Sequence, residues 1–195
     1  RLHLAEATKI MQKRINEKHM INGVTIVDPD TTYISADTEI GQDTVIFPAT
    51  YIEGKNKIGK NCKIGPCAHL RGGVEIADNV KIGNFVEVKK SKIASNTNAG
   101  HLSYIGDSEV GSNVNIGAGT ITANYNPLTK EKSKTVLKDS VKIGSNTVLV
   151  APVTIEDGAN IGALSVITKN VPAWALAITR SPMKVLADWV RNQLK

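Results

Sequence analysis

Aliphatic residues recur at a spacing of six along most of this chain, beginning with Ile34, Ile40, Ile46, Ile52, Ile58, Ile64, Leu70, Ile76, Ile82 and Val88. The position four beyond the aliphatic is small or β-branched in eight of these ten, at Thr38, Thr44, Thr50, Cys62, Ala68, Val74, Val80 and Val86. A repeat of this kind predicts a parallel β-helix. Each hexad makes one short strand and a corner, three hexads make a triangular coil, and each coil buries its aliphatic residues only against its neighbours. Gly follows the aliphatic in Ile40-Gly41, Ile58-Gly59, Ile64-Gly65 and Ile82-Gly83, where it is expected to supply the unusual backbone angles of a corner.

The beat is interrupted in informative places. A five-residue unit runs from Val88 to Lys92, followed by Ile93, Ala99 and Ile105; a second ends at Glu109, before Val110 and Ile116. After Thr122 the pattern stops, and it resumes at Leu137, Ile143, Leu149, Ile155, Ile161 and Ile167. Residues 123–136 are therefore expected to form an excursion outside the prism, and long irregular loops in regular domains are often functional.

Three parts follow: a linker helix at 1–22, a β-helix at 23–172, and a C-terminal arm with a helix at 173–195. In the first, Leu4, Ala7, Ile10, Met11 and Ile15 recur at helical spacing before Asn22-Gly23 stops the helix. In the last, Val185, Leu186, Trp189 and Val190 form the stripe of a helix from Met183 to Leu194, after Pro182. Both stripes are read as packing surfaces.

Composition narrows the class. Aromatics are 4% of the 195 residues, which fits a narrow prism filled by Ile and Val. That scarcity also counts against a base-stacking platform, so no nucleic-acid partner is expected. No apolar run suits a membrane span and no signal-peptide layout appears, so no membrane partner is expected. Cys62 and Cys67 lack zinc-site spacing and are too few for a disulfide framework, which points to a reduced, cytoplasmic compartment. Cys62 falls at an inward position and reads as a small core residue.

The net charge of +6, from 24 Lys+Arg against 18 Asp+Glu, suggests anionic partners. Lys89, Lys90 and Lys92 form one cluster, and Lys130, Lys132 and Lys134 another within the excursion. Residues one coil apart share a column at roughly 4.8 Å spacing, and Arg71 and Lys89 are such a pair. Two cations so close repel unless an anion lies between them, making the pair a candidate phosphate clamp.

The first five-residue unit places Ile105 over Val88 and Tyr104 over Glu87, so Arg71, Lys89, Glu87 and Tyr104 are expected on one edge. His101, three residues before Tyr104, is placed near it, the one histidine of four beside a basic pair, a carboxylate and a phenol. An imidazole there suits a general base near neutral pH. Glu87 is expected to orient that imidazole. Only His69 and His101 lie in the coils, whereas a catalytic zinc site needs three protein ligands, so no metal is expected. Ser145 and Ala163 form a second column, a groove of small residues which, with Asn124, Tyr125 and the excursion lysines, suits an elongated phosphate-bearing ligand.

Several segments go beyond the shared hexad. They are Gly83-Asn84-Phe85-Val86-Glu87-Val88-Lys89-Lys90, Gly100-His101-Leu102-Ser103-Tyr104-Ile105-Gly106-Asp107, the run from Asn113 through Tyr125, Leu149-Val150-Ala151-Pro152-Val153-Thr154, and Ala175-Leu176-Ala177-Ile178-Thr179-Arg180. Through them nearly the whole chain resembles the acetyltransferase domain of the bacterial bifunctional N-acetylglucosamine-1-phosphate uridylyltransferase/glucosamine-1-phosphate acetyltransferase family. The resemblance implies a left-handed β-helix, an exception to the right-handed crossover rule, and a homotrimer with sites between adjacent rods.

It further implies acetyl transfer from acetyl-CoA, as cosubstrate, to the 2-amino group of glucosamine 1-phosphate, supplying UDP-N-acetylglucosamine for peptidoglycan and lipopolysaccharide precursors. By position it implies His101 as proton acceptor and Arg71, Lys89, Tyr104, Asn115 and Lys132 as sugar-phosphate ligands. Ala118, Asn124, Tyr125, Ser145, Ala163 and Arg180 would contact acetyl-CoA. The family's uridylyltransferase domain has no counterpart in these residues, and a linked or separate partner is expected to carry it.

Two departures stand out. The stretch between Cys62 and Arg71 is shorter than the family's course by about two coils, and Leu164 stands where Gly is expected beside the coenzyme groove. The alternatives are another hexapeptide-repeat acyltransferase, acting on a different amino sugar or on serine, or a noncatalytic rod used for assembly.

Overall fold

In the computed structural model, which describes residues 1–194, the hexads form short strands in three parallel sheets of nine, eight and seven strands. The fold is the left-handed parallel β-helix of about eight turns. The first face runs from strand Thr25–Ile26 to Leu176–Ala177, the second from Tyr33–Ile34 to Val166–Ile167, and the third from Glu39–Ile40 to Val153–Ile155. Every strand pairs with the strand one coil away. Regular coils pair residues 18 apart, such as Val45 with Lys63, and the coils with a five-residue unit pair residues 17 apart, such as Lys81 with Asn98 and Val88 with Ile105.

The core is the predicted column. Ile46, Ile64, Leu70, Ile82, Val88 and Ile105 are fully buried, and so are the residues four beyond the aliphatics. Two of the threonines among these bond the carbonyls of neighbouring corners: Thr38 Oγ1 donates to the Gly54 carbonyl at 3.0 Å and Thr44 Oγ1 to the Gly59 carbonyl at 2.8 Å, whereas the buried Thr50 Oγ1 has no partner among the described residues. Cys62 is a core residue with Sγ 3.1 Å from the Ala77 carbonyl, and burial pushes its thiol above the ordinary range. A protonated, buried thiol is chemically inert.

The corner glycines have a different cause from the one expected. Gly41, Gly59 and Gly83 have no positive φ; the left-handed residue comes two positions later, at Asp43 (φ 62°), Asn61 (54°) and Phe85 (55°). Gly65, at φ 98°, is the one of the four that meets the expectation. What the others supply is close approach between coils. A Cβ on Gly59 would lie 2.6 Å from the Ala77 carbonyl carbon, and one on Gly83 would lie 1.9 Å from the Gly100 carbonyl oxygen.

Helix α1, Leu2–Ile21, turns a polar face to the rod. Its buried residues are Gln12, Asn16 and His19, while Leu4, Ile10 and Met11 of the expected stripe are exposed and Ile15 alone packs on the core. The first coil has no coil beneath it, so its carbonyls need donors from elsewhere. Gln12 Nε2 donates to the carbonyls of Pro29, Asp30 and Thr32 at 2.9 to 3.0 Å, and Asn16 Nδ2 to those of Pro29 and Thr32. Replacing both by Ala strands the buried Thr32 carbonyl, at a cost of about 1–3 kcal/mol. Amide hydrogen exchange in α1 is expected to speed up in that variant; unchanged protection would show that these amides do not hold the helix.

The C-terminal helix is shorter than expected, Trp189–Gln193 instead of Met183–Leu194. Its stripe residues Val185, Leu186, Trp189 and Val190 are all exposed, and a short helix with no surface to pack on gains too little to propagate. Lys195, the end of the expected arm, lies outside the described residues. No helix among the described residues is long and apolar enough to cross a membrane.

Candidate active site

Strand register brings the basic residues together where the second face turns into the third. Arg71 ends strand His69–Arg71 and Lys89 ends strand Glu87–Lys89 one coil on, with Leu70 paired to Val88. On the next coil Tyr104 pairs with Glu87 and Gly106 with Lys89, as the five-residue unit requires. The Tyr104 phenol leans along its strand toward that corner, where a Cβ on Gly106 would lie 2.4 Å from its hydroxyl.

The carboxylates of this face serve Arg71. Glu87 Oε1 accepts from Arg71 Nη1 at 2.9 Å, and Glu53 Oε1 lies 3.5 Å from Arg71 Nε, which holds the guanidinium firmly protonated. Within this chain Glu87 pairs with Arg71, and among the described residues no hydrogen bond joins it to His101. A second histidine also has the company ascribed to His101 alone. His69 Nε2 lies 3.4 Å from Glu53, and its ring meets Tyr51 edge-on at 5.3 Å.

The excursion leaves after strand Ile121–Ala123 and returns at Thr135–Leu137, making residues 124–134 a small hairpin. Tyr125 bridges Lys132 across it, Asn126 N–H donates to the Glu131 carbonyl and Ser133 N–H to that of Asn124. The hairpin is tied to the basic corner by Asp107, whose carboxylate accepts from the Asn124 amide and lies 4.0 Å from Lys132 Nζ. Sequence reasoning missed Asp107, although it directly follows Gly106 in the clamp column. Lys132, followed by Arg71, pushes the Lys89 amine below the usual lysine range, as expected for cations gathered at one corner.

The other predicted residues occupy the corner between the first and second faces. His101 ends strand Asn98–His101 and shares a concavity with Ala118, Asn84, Phe85 and Leu102. Ala118, Ser145 and Ala163 stack above it: Asn146 N–H donates to the Ala118 carbonyl and Leu164 N–H to that of Ser145. Arg180 Nη1 closes the column with a 2.9 Å bond to the Ala163 carbonyl. Leu164 sits beside this groove with φ 62° and an exposed side chain, in a conformation suited to Gly.

The predicted residues thus form two groups in one chain. Arg71, Lys89, Tyr104, Lys132 and Asn124 gather at one corner, with Tyr125 exposed in the hairpin; His101, Ala118, Ser145, Ala163 and Arg180 gather at the adjacent one. The single edge expected to unite His101 with Arg71 and Lys89 is therefore two edges, separated by a strand of the second face. Asn115 joins neither: it lies on the first face, accepting from Asn98 Nδ2 at 3.3 Å.

Comparison with known proteins agrees with this architecture. The bacterial transferase hexapeptide (six repeats) family matches residues 57–90 and 134–169. The Bifunctional protein GlmU of Pseudothermotoga lettingae is 45% identical over 228 residues, an alignment covering 100% of this chain and 50% of that protein. GlmU of Thermoanaerobacter pseudethanolicus is 49% identical, with the same coverage. The chain spans about half the length of these relatives, matching their C-terminal half.

Setting 195 residues against 228 aligned positions leaves at least 33 of that relative's positions without a counterpart, nearly the length of two 18-residue coils. Among solved structures, a UDP-N-acetylglucosamine acyltransferase from Francisella novicida aligns with TM-score 0.53 and 15% identity, over 79% of this chain and 66% of that one. The polySia-specific acetyltransferase NeuO aligns at 0.51 and 18%, over 82% and 81%. These two share the fold.

Proposed function

This chain carries bacterial transferase hexapeptide repeats and is similar along its whole length to the C-terminal half of GlmU proteins, and from that premise we propose that it is a glucosamine-1-phosphate N-acetyltransferase. Acetyl-CoA supplies the acetyl group and the 2-amino group of glucosamine 1-phosphate receives it. The observation that carries the reading is the strand register that gathers Arg71, Lys89 and Lys132 at one corner beside the Tyr104 phenol. A sugar phosphate suits that positive corner, the Tyr104 phenol adds a hydrogen bond, and the Asn115 amide, on the first face, adds one from a neighbouring copy. Acetyl-CoA lies along the small-residue column of Ala118, Ser145 and Ala163, held by Asn124, Tyr125 and Arg180.

In the reaction the amine nitrogen attacks the thioester carbonyl carbon and gives up a proton to His101. The tetrahedral intermediate collapses, the C–S bond breaks, and coenzyme A leaves with a proton returned to its sulfur. Backbone N–H near Ala118 and the Asn124 amide stabilise the oxyanion. The clamp and the base stand at different corners of one rod, so a complete site takes the clamp edge of one copy and the His101 edge of another; a homotrimer closes such contacts by cyclic symmetry. The product feeds UDP-N-acetylglucosamine formation in the cytoplasm, with uridylyl transfer carried by a domain equivalent to the relatives' other half.

Release of coenzyme A is the measurement that tests this. Turnover with glucosamine 1-phosphate is expected to exceed by far that with unphosphorylated glucosamine or with serine. A preference for either of these would overturn the assignment.

A further inference from the structure

Directly beneath His101 lies a polar atom without a partner. Asn84 ends strand Lys81–Asn84 and is the in-register neighbour of His101 on strand Asn98–His101, one coil away. The backbone there is fixed, since Leu102 N–H donates to the Asn84 carbonyl at 2.9 Å and Ser103 Oγ to that of His101 at 2.9 Å. Asn84 Oδ1 has less than 1 Å² exposed and accepts no hydrogen bond. A buried acceptor left in that state costs about 1–3 kcal/mol, and native structures retain few of them without a use.

In-register parallel neighbours project to the same side of a sheet, so the Asn84 amide and the His101 imidazole form one column with backbones about 4.8 Å apart. Both line the same concavity, where Lys81 is the charged neighbour among the described residues. The imidazole is exposed and makes no hydrogen bond among the described residues. From this juxtaposition we propose that Asn84 is a positioning residue: its Oδ1 accepts a hydrogen bond from the His101 ring, and so sets the tautomer.

An amide oxygen only accepts, so the ring nitrogen facing it must carry the hydrogen. The opposite nitrogen then keeps its lone pair, turned toward the cleft. This deepens the acetyl-transfer reading and rests on His101 being its base: the lone pair is what receives the amine proton. Such a contact belongs with the catalytic hydrogen bonds that tighten once substrate is bound.

The test reads the tautomer directly. In protein labelled with ¹⁵N-histidine, two-bond ¹H–¹⁵N correlations separate the two neutral forms, and the His101 signals are assigned by their loss in His101→Gln. The parent is expected to hold His101 in one tautomer, Asn84→Ala to show a mixture, and Asn84→Asp, which retains an acceptor oxygen, to keep the parent form. Asn84→Ala is also expected to lower kcat about tenfold, with KM for sugar and coenzyme changed less than about twofold, the scale of an orienting partner. The same tautomer population in Asn84→Ala as in the parent would overturn the proposal, and so would an unchanged kcat. If the parent releases no coenzyme A with the sugar phosphate, the acetyl-transfer reading fails, while the tautomer comparison still decides whether Asn84 holds the ring.

Discussion

Replacing His101 by Ala is expected to lower acetyl transfer by about 10² to 10⁴ fold, the range of a lost general base. Without it the attacking amine must shed its proton to water as the C–N bond forms. The loss should appear in kcat more than in KM for either substrate, because the residues proposed to hold the sugar phosphate, Arg71 and Lys89, and the coenzyme, Ser145 and Ala163, stand at other positions. The fold should be spared. The His101 side chain is exposed and makes no hydrogen bond among the described residues; only its carbonyl is engaged, by Ser103. Steady-state coenzyme A release, with circular dichroism and size-exclusion chromatography on the same samples, checks both halves. Near-normal acetylation by a folded variant would remove His101 from the role.

The second large effect falls on folding. Gly83→Ala is expected to cost about 3 kcal/mol or more, at the upper end of overpacking, because its Cβ would sit 1.9 Å from the Gly100 carbonyl oxygen. Neither atom has room to retreat, since Ile82 and Ala99 beside them are fully buried and paired in register. Gly100 is the control. It follows the inward Ala99 as Gly83 follows Ile82, yet a Cβ there would meet nothing nearer than Asn98 Oδ1 at 3.7 Å. Gly100→Ala is therefore expected to stay within about 0.5 kcal/mol of the parent. Chemical denaturation of both variants decides the matter, and equal losses would show that close approach between coils is not what Gly83 provides.

These two glycines show where sequence reading stopped. The hexad identifies both as corner residues, but whether a corner needs Gly for its own φ or for the coil above is a matter of separation between chain segments 17 or 18 residues apart. Helix α1 repeats the lesson: its apolar spacing suggested an apolar docking face, while the end of a β-helix offers bare carbonyls, and Gln12 and Asn16 answer them. The excursion hairpin carries no periodicity, so its contact with Asp107 was invisible. Glu87 shares its carboxylate with Arg71 one coil away, a pairing that the hexad does not reveal, while His101 lies on another strand of the same chain.

The sequence by itself determined the coil. A six-residue period of aliphatics can bury its core in few ways, and its five-residue units set the register that stands Tyr104 over Glu87 and Ile105 over Val88. Column neighbours such as Arg71 and Lys89 follow, because stacking turns a fixed spacing along the chain into contact. Only the tertiary structure decided which corner each residue occupies and what it touches there. Corners of a prism are separated by a strand's width, a distance that no periodicity records, and side-chain partners such as Asp107 for Asn124 or Glu53 for His69 depend on how far flexible groups reach across it.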